Sequence, residues 1–168
     1  FYLKRSRAVI VICRDLLDKV TRDGHGDKAH LIENVLEFPS NPVTPDEVDR
    51  LRKAYAPGGE KIVLYAGNFQ HYQGIGLLLE AAARVEDKAV FVLLGGTGAD
   101  LEAMKRKAAG LGISGKVVFV DKVPPARVAL FLALADVLVS PRLAGTNTPL
   151  KIYSFLKSGK PLVATNLW

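Results

Sequence analysis

The chain contains a single cysteine, Cys13, among 168 residues. One thiol excludes an internal disulfide framework and any zinc site built on paired cysteines, and it fits a reducing compartment such as the cytoplasm. The three histidines, His25, His30 and His71, lack the regular spacing of a metal motif, so no structural metal is expected. Long apolar runs are missing too. No stretch approaches the ~20 residues of a membrane-spanning helix, and no signal-peptide pattern opens the sequence, so the chain reads as soluble. Internal repeats and low-complexity tracts are also absent.

Charge is present but not concentrated. The net charge of +6 is compatible with nucleic acid, an anionic membrane or a phosphorylated small ligand. Basic residues such as Arg84, Lys88, Lys105, Arg106, Lys107, Lys157 and Lys160 are scattered, without a basic run or the interleaved aromatics of a single-strand binder. Nucleic acid is therefore not an expected partner. Peripheral contact with acidic lipids fits the mild basicity, as does an ordinary solvated surface.

What the sequence has in quantity is apolar residues, 49% of the chain, enough for a sizeable core. Residues 1–37 read as a helix end at Phe1 to Arg7, a strand at Ala8 to Cys13, a helix at Arg14 to Arg22 and a strand at Ala29 to Ile32. Residues 38–45 hold three prolines and read as a linker. A helix follows, with Thr44 as cap, Pro45 first and an acidic first turn, ending before Pro57-Gly58-Gly59. From Lys61 onward, Val/Leu-rich strands alternate with helices. The strands are Lys61 to Ala66, Ala89 to Leu94 and Val117 to Val120, and the helices Gly74 to Val85, Ala99 to Leu111 and Pro125 to Ala135. Gly95 to Gly98 reads as a loop. This alternation defines an α/β fold with a doubly wound, Rossmann-like parallel sheet, for which the strand order 3-2-1-4-5 from Lys61 is expected. Ligands then enter between the first and fourth strands, flanked by Gly67–Gln73 and Ser140–Thr148.

The most informative stretch is Ala135 to Thr165. A strand, Val137-Leu138-Val139, leads into a polar loop, then a helix opened by Thr148 as N-cap and Pro149 as first residue, then a strand from Pro161. The helix mouth is a potential phosphate site. Lys151, Ser154 and Ser158 form one polar stripe that begins there. The stripe suits either a ligand or the solvated face of an amphipathic helix.

Several motifs in this stretch resemble the donor-binding segment of the retaining glycosyltransferases called group 1, or family 4, of the two-Rossmann-domain GT-B type. They are Ala135-Asp136, Ser140-Pro141, Pro149-Leu150-Lys151-Ile152-Tyr153, Leu156, Ser158-Gly159-Lys160-Pro161 and Val163-Ala164-Thr165. The similarity continues upstream to about Lys61 and more faintly to the first residue. It implies transfer of a sugar from a nucleotide diphosphate donor to the hydroxyl of a glycan, lipid or small-molecule acceptor. Configuration would be retained, with no metal or other cofactor. Residues 1–37 then correspond to the end of the acceptor-binding first domain, with catalytic residues mostly elsewhere, and residues 46–168 to the donor-binding domain, incomplete at its C-terminus. A truncated piece of this kind should show no turnover alone. Its apolar run Ala8 to Cys13, short of partners, should self-associate or be poorly ordered. The implied location is cytoplasmic, extending to the membrane surface where many related transferases work.

Residue by residue, the resemblance sets the amides around Thr148, Leu150 and Lys151 against the distal phosphate. It sets Ser154 and Thr146 where the family has a spaced pair of glutamates. Asn68 and Gln73 fall where the family carries an arginine and a lysine that clamp the diphosphate, in a loop bounded by Gly67 and Gly74. Gly96 lies in a loop beside the donor, and Val123 presents backbone to the base. With both clamp positions neutral, Arg142 and Lys151 are the expected compensating cations. A non-catalytic nucleotide-sugar-binding or scaffold module, and a GT-B sugar-nucleotide epimerase, are the alternatives.

Overall fold

The computed structural model describes residues 2–34, 42–86, 88–145 and 147–167. They divide into two compact units, one of residues 1–37 with 146–153, the other of residues 38–145 with 154–168.

In the smaller unit, helix α1 (Tyr2–Arg5) precedes strand β1 (Val9–Val11), helix α2 (Arg14–Val20) and strand β2 (Ala29–Leu31). β1 and β2 pair in parallel, with Val9 opposite Ala29 and Val11 opposite Leu31, so α2 is the crossover of a single βαβ turn. Such a unit has little to bury. Of its hydrophobic residues up to Leu31, only Val11 and Val20 are fully buried, whereas Ile10 remains 65% exposed.

The larger unit opens with α3 (Pro45–Tyr55). Glu47 accepts hydrogen bonds from the Thr44 backbone N–H at 3.3 Å and from its hydroxyl at 2.8 Å, fixing the first turn. These bonds hold the Glu47 carboxyl below its usual pKa. Part of the expected linker, residues 38–41, lies outside the described residues. Then come β3 (Lys61–Ala66), α4 (Ile75–Arg84), β4 (Ala89–Gly96), α5 (Gly98–Gly110), β5 (Val117–Asp121), α6 (Pro125–Leu134), β6 (Val137–Ser140), α7 (Leu150–Lys157), of which residues 150–153 are grouped with the smaller unit, and β7 (Leu162–Ala164). The five strands are all parallel, in the order β5-β4-β3-β6-β7. Counted from β3 this is 3-2-1-4-5, the winding expected from the sequence, and β3 and β6 flank the switch point.

Side chains alternate across the sheet into two cores. Tyr65, Phe91 and Leu93 enter one with Leu78 and Leu79 of α4 and Leu101 of α5. Ile62, Leu64, Val90 and Val92 enter the other with Phe131 of α6 and Phe155 of α7. Burial on both faces explains why β3 and β4 are apolar almost throughout rather than at every second position.

At the amino ends of the strands, Arg52 of α3 pairs with Asp136 at 3.1 Å and donates to the Leu134 carbonyl at 2.7 Å. The same Asp136 oxygen accepts the Ile62 amide at 2.8 Å. One carboxylate therefore joins α3 to the starts of β3 and β6.

Several element boundaries differ from the sequence reading, two of them at the starts of α5 and α7. β4 runs through Gly95 and Gly96, because Gly96 still pairs with Asp121 after a register shift, and α5 begins at Gly98 without an intervening loop. α7 begins at Leu150, after a turn in which Ile152 donates to the Pro149 carbonyl at 3.0 Å.

Candidate functional site

At the carboxyl end of β3 the chain runs from Gly67 through a short 3₁₀ turn, His71–Gln73, to Gly74. This loop is packed from within. Phe69 is buried and meets Tyr65 and Phe119 edge-on, with ring centroids 6.1 and 6.2 Å away. Gly96 lies so close to the Phe69 ring that a Cβ there would fall 2.4 Å from it, and a Cβ on Gly95 would fall 2.6 Å from the Gly67 carbonyl oxygen. The glycines at the end of β4 thus make room for the β3–α4 loop.

A buried polar contact holds the rest of that loop. The Tyr65 hydroxyl donates to the Asn68 carbonyl at 2.7 Å and lies 3.3 Å from Gln73 Oε1. Burial raises the Tyr65 pKa, which keeps the phenol a proton donor. Gln73 is only 8% exposed. Its side chain turns inward to Tyr65, while the Asn68 side chain accepts the Gln70 amide at 3.4 Å.

The loop after β6 is joined to this one through backbone. Gly74 adopts φ 74°, and a Cβ on it would fall 1.8 Å from the Pro141 carbonyl oxygen. The Leu143 amide donates to the Tyr72 carbonyl at 2.8 Å. Arg142 lies over the Tyr72 ring, 5.8 Å from its centroid, and its Nε donates to the Ala144 carbonyl at 2.6 Å. On the far side the Thr165 hydroxyl donates to the Arg142 carbonyl, and the Thr165 amide to the Ser140 carbonyl at 3.1 Å. Neither Gly67–Gly74 nor Ser140–Gly145 contains a carboxylate, and Arg142 is their one obligate cation. That composition suits an anion.

Of the residues singled out from sequence, Gly67, Asn68, Gln73, Gly74, Gly96 and Arg142 stand together at the carboxyl ends of β3, β4 and β6. Val123 follows β5 and packs against the core that holds Phe155. Ser154 is half-buried in α7. Thr148, Leu150 and Lys151 fall in the smaller unit; Thr148 is exposed, Leu150 is 49% exposed and Lys151 half-buried. Thr146 lies outside the described residues. Ser158, the last member of the polar stripe, caps α7 by donating to the Phe155 carbonyl at 2.6 Å.

Tyr65 and Tyr72 were not singled out from sequence. A tyrosine inside the apolar run of β3 was a readable sign, since a buried phenol needs a partner. Nothing in sequence links Tyr72 to Arg142, seventy positions away.

Beside the crevice, the β3–α4 loop walls a hollow of about 350 Å³ with Leu77, Met104 and Leu143. Its charged groups, Glu80 and Lys107, are paired with each other at 2.5 Å, a poor lining for a diphosphate. Among the described residues no group of three His, Cys, Asp or Glu is placed to hold a metal, and no helix is long and apolar enough to cross a membrane.

The parallel sheet, its winding and its flanking helices are those of a Rossmann-like domain of the GT-B type. HepE of Anabaena, whose crystal structure contains UDP and glucose, superposes with a TM-score of 0.82 at 17% identity, over 95% of this chain and 44% of its own. Residues 60–167 match the sequence profile of the glycosyl transferases group 1, and the chain belongs to that family. Curated relatives include the putative colanic acid biosynthesis glycosyl transferase WcaI of Escherichia coli, 29% identical over 113 residues, which are 62% of this chain and 26% of WcaI. Another is the GDP-mannose-dependent alpha-(1-6)-phosphatidylinositol monomannoside mannosyltransferase of Mycolicibacterium smegmatis, 31% identical over 101 residues, 58% of this chain and 26% of that enzyme. The chain thus spans about a quarter of the length of these relatives.

Proposed function

We propose that this chain is the donor-binding part of a nucleotide-sugar-dependent glycosyltransferase that moves a sugar to an acceptor hydroxyl with retention of configuration. The observation that carries this reading is the carboxylate-free crevice between β3 and β6, lying inside the span that matches the family. UDP and glucose in HepE, and the GDP-mannose dependence of the mycobacterial relative, support a nucleotide sugar as ligand.

In this reading residues 46–168 bind the donor, residues 38–45 are the linker, and residues 1–37 belong to an acceptor-binding domain. The acceptor oxygen forms a bond to the anomeric carbon as its bond to the diphosphate breaks. The acceptor proton is lost, and the nucleoside diphosphate leaves carrying extra negative charge. No metal or other cofactor is invoked; within the larger unit Arg142 balances that charge, and the amides around Thr148 and Leu150, with Lys151, are the groups that the resemblance assigns to the distal phosphate. Ser154 holds ribose hydroxyls, Val123 offers backbone to the base, and the backbone of Gly67, Asn68, Gly74 and Gly96 lines the crevice. The work is cytoplasmic, at the membrane surface when the acceptor is a lipid.

Lys151→Ala in the full-length protein should weaken nucleoside-diphosphate binding about tenfold or more, the scale of one charge-assisted contact. Lys157→Ala, at the other end of α7, should change it little. Equal affinities in the two variants would remove Lys151 from the site. The neutral Asn68 and the inward-turned Gln73 favour a second reading, a nucleotide-sugar-binding module without turnover. A thermal-shift screen of UDP-, GDP-, ADP- and dTDP-sugars, followed by assay of nucleoside diphosphate release with acceptor extract, separates the two. Stabilisation without release supports the module, and stabilisation by none of the four counts against both.

A further inference from the structure

Two neutral residues at the clamp positions leave a diphosphate short of positive charge within the larger unit. Arg142 meets that need at least cost if its guanidinium is already held in one place, since a freely rotating arginine gives up side-chain entropy on binding. The surroundings of Arg142 restrict it from several directions. Its backbone is fixed on one side by Thr165, whose hydroxyl donates to the Arg142 carbonyl, and on the other by the Leu143 amide, 2.8 Å from the Tyr72 carbonyl. Its Nε is engaged by the Ala144 carbonyl at 2.6 Å. The Tyr72 ring covers one face at 5.8 Å. Gly145, at φ 127°, leaves the space the guanidinium occupies, since a Cβ there would fall 1.7 Å from Arg142 Nη2.

We infer that Tyr72 is a positioning residue that holds the Arg142 guanidinium as the fixed cation of the β3/β6 crevice, replacing the charge that Asn68 and Gln73 lack. This rests on the donor-binding reading above. A guanidinium over an aromatic face keeps its charge, so the ring orients the cation without neutralising it. Tyr72 comes from the loop whose own clamp positions are neutral. One loop therefore supplies shape and the other supplies charge.

The test measures the affinity of the protein for UDP and for GDP by calorimetry at several salt concentrations. Variants are Tyr72→Leu, which removes the ring face but keeps apolar bulk, Tyr72→Phe, which keeps the ring, Arg142→Ala, and the double variant Tyr72→Leu/Arg142→Ala. Arg142→Ala should weaken binding at least about tenfold and flatten its salt dependence. Tyr72→Leu should weaken binding about two- to fivefold, the range of an exposed cation–π contact, and Tyr72→Phe should restore it. In the Arg142→Ala background, Tyr72→Leu should have no further effect. Tyr72 is 39% exposed, so melting temperatures should stay close to the parent's. Should Tyr72→Leu unfold the protein, Tyr72→Gln, which also removes the ring face, takes its place with the same expected loss. Loss with Arg142→Ala but none with Tyr72→Leu or its substitute, or a loss that persists undiminished without Arg142, overturns the positioning role. If Arg142→Ala leaves both affinities unchanged, or if neither nucleotide binds the parent, the charge assignment in the donor reading fails first and the inference falls with it.

Discussion

Gln73 shows how one side chain changes the reading of a site. The family resemblance sets it at a position that would hold a lysine, so restoring lysine would look like a repair. In the fold the side chain is nearly buried and packed against the Tyr65 hydroxyl, 3.3 Å away, where a lysine would have to bury its charge. Gln73→Lys should therefore fail to tighten nucleoside-diphosphate binding and should lower stability by about 1–3 kcal/mol, the cost of an unmatched buried polar group. Denaturant unfolding beside UDP calorimetry checks both parts. Tighter binding by the lysine variant would mean that the side chain swings out to the ligand. The lesson extends to Gly96, whose lack of a side chain serves the Phe69 ring.

Among the elements, α3 is tied to the sheet by an ionic contact, Arg52 with Asp136. Asp136 is drawn upward in pKa by partial burial, but the Ile62 amide and Arg52 outweigh that and hold it below its ordinary value of 3.8. A carboxyl lowered in the folded state contributes its full stability above the unfolded value and loses it as pH falls through the lower folded value. Asp136→Asn should therefore flatten the acid limb of the stability curve below about pH 4. At neutral pH it should cost about 1.5–3 kcal/mol, the worth of hydrogen bonds to a charged group. Urea midpoints measured from pH 7 down to pH 3 test this, and an unchanged acid limb would remove Asp136 from the account. At the other end of the same strands, Gly74→Ala should be severe, because neither φ 74° nor the Pro141 carbonyl accommodates a Cβ. A melting temperature equal to the parent's would show that the two loops are not locked together there.

For the molecule as a whole, burial is uneven. The larger unit has two cores on the faces of one sheet, whereas the smaller has a strand pair with few buried side chains. Amides of β3 and β4 should exchange with solvent only on global unfolding, and those of residues 9–11 and 29–31 much earlier by local opening. Equal protection across both sets would contradict that division. Ile10 and Ile32, 65% and 55% exposed, also keep self-association through this unit as an outcome for light scattering to decide. The sequence alone determined the class of fold, the strands, their winding and the switch point. Strands buried on both faces leave continuous apolar runs, and turns leave glycine and proline between them, so the pattern survives in one dimension. It also determined the family, through motifs contiguous in the chain. Only the tertiary structure decided which way the site residues face. Gln73 turns inward to the hydroxyl of Tyr65, eight positions before it, and Arg142 is held by a ring that the chain brings back from seventy residues earlier. Contacts of that separation are made by packing and leave no local pattern in sequence.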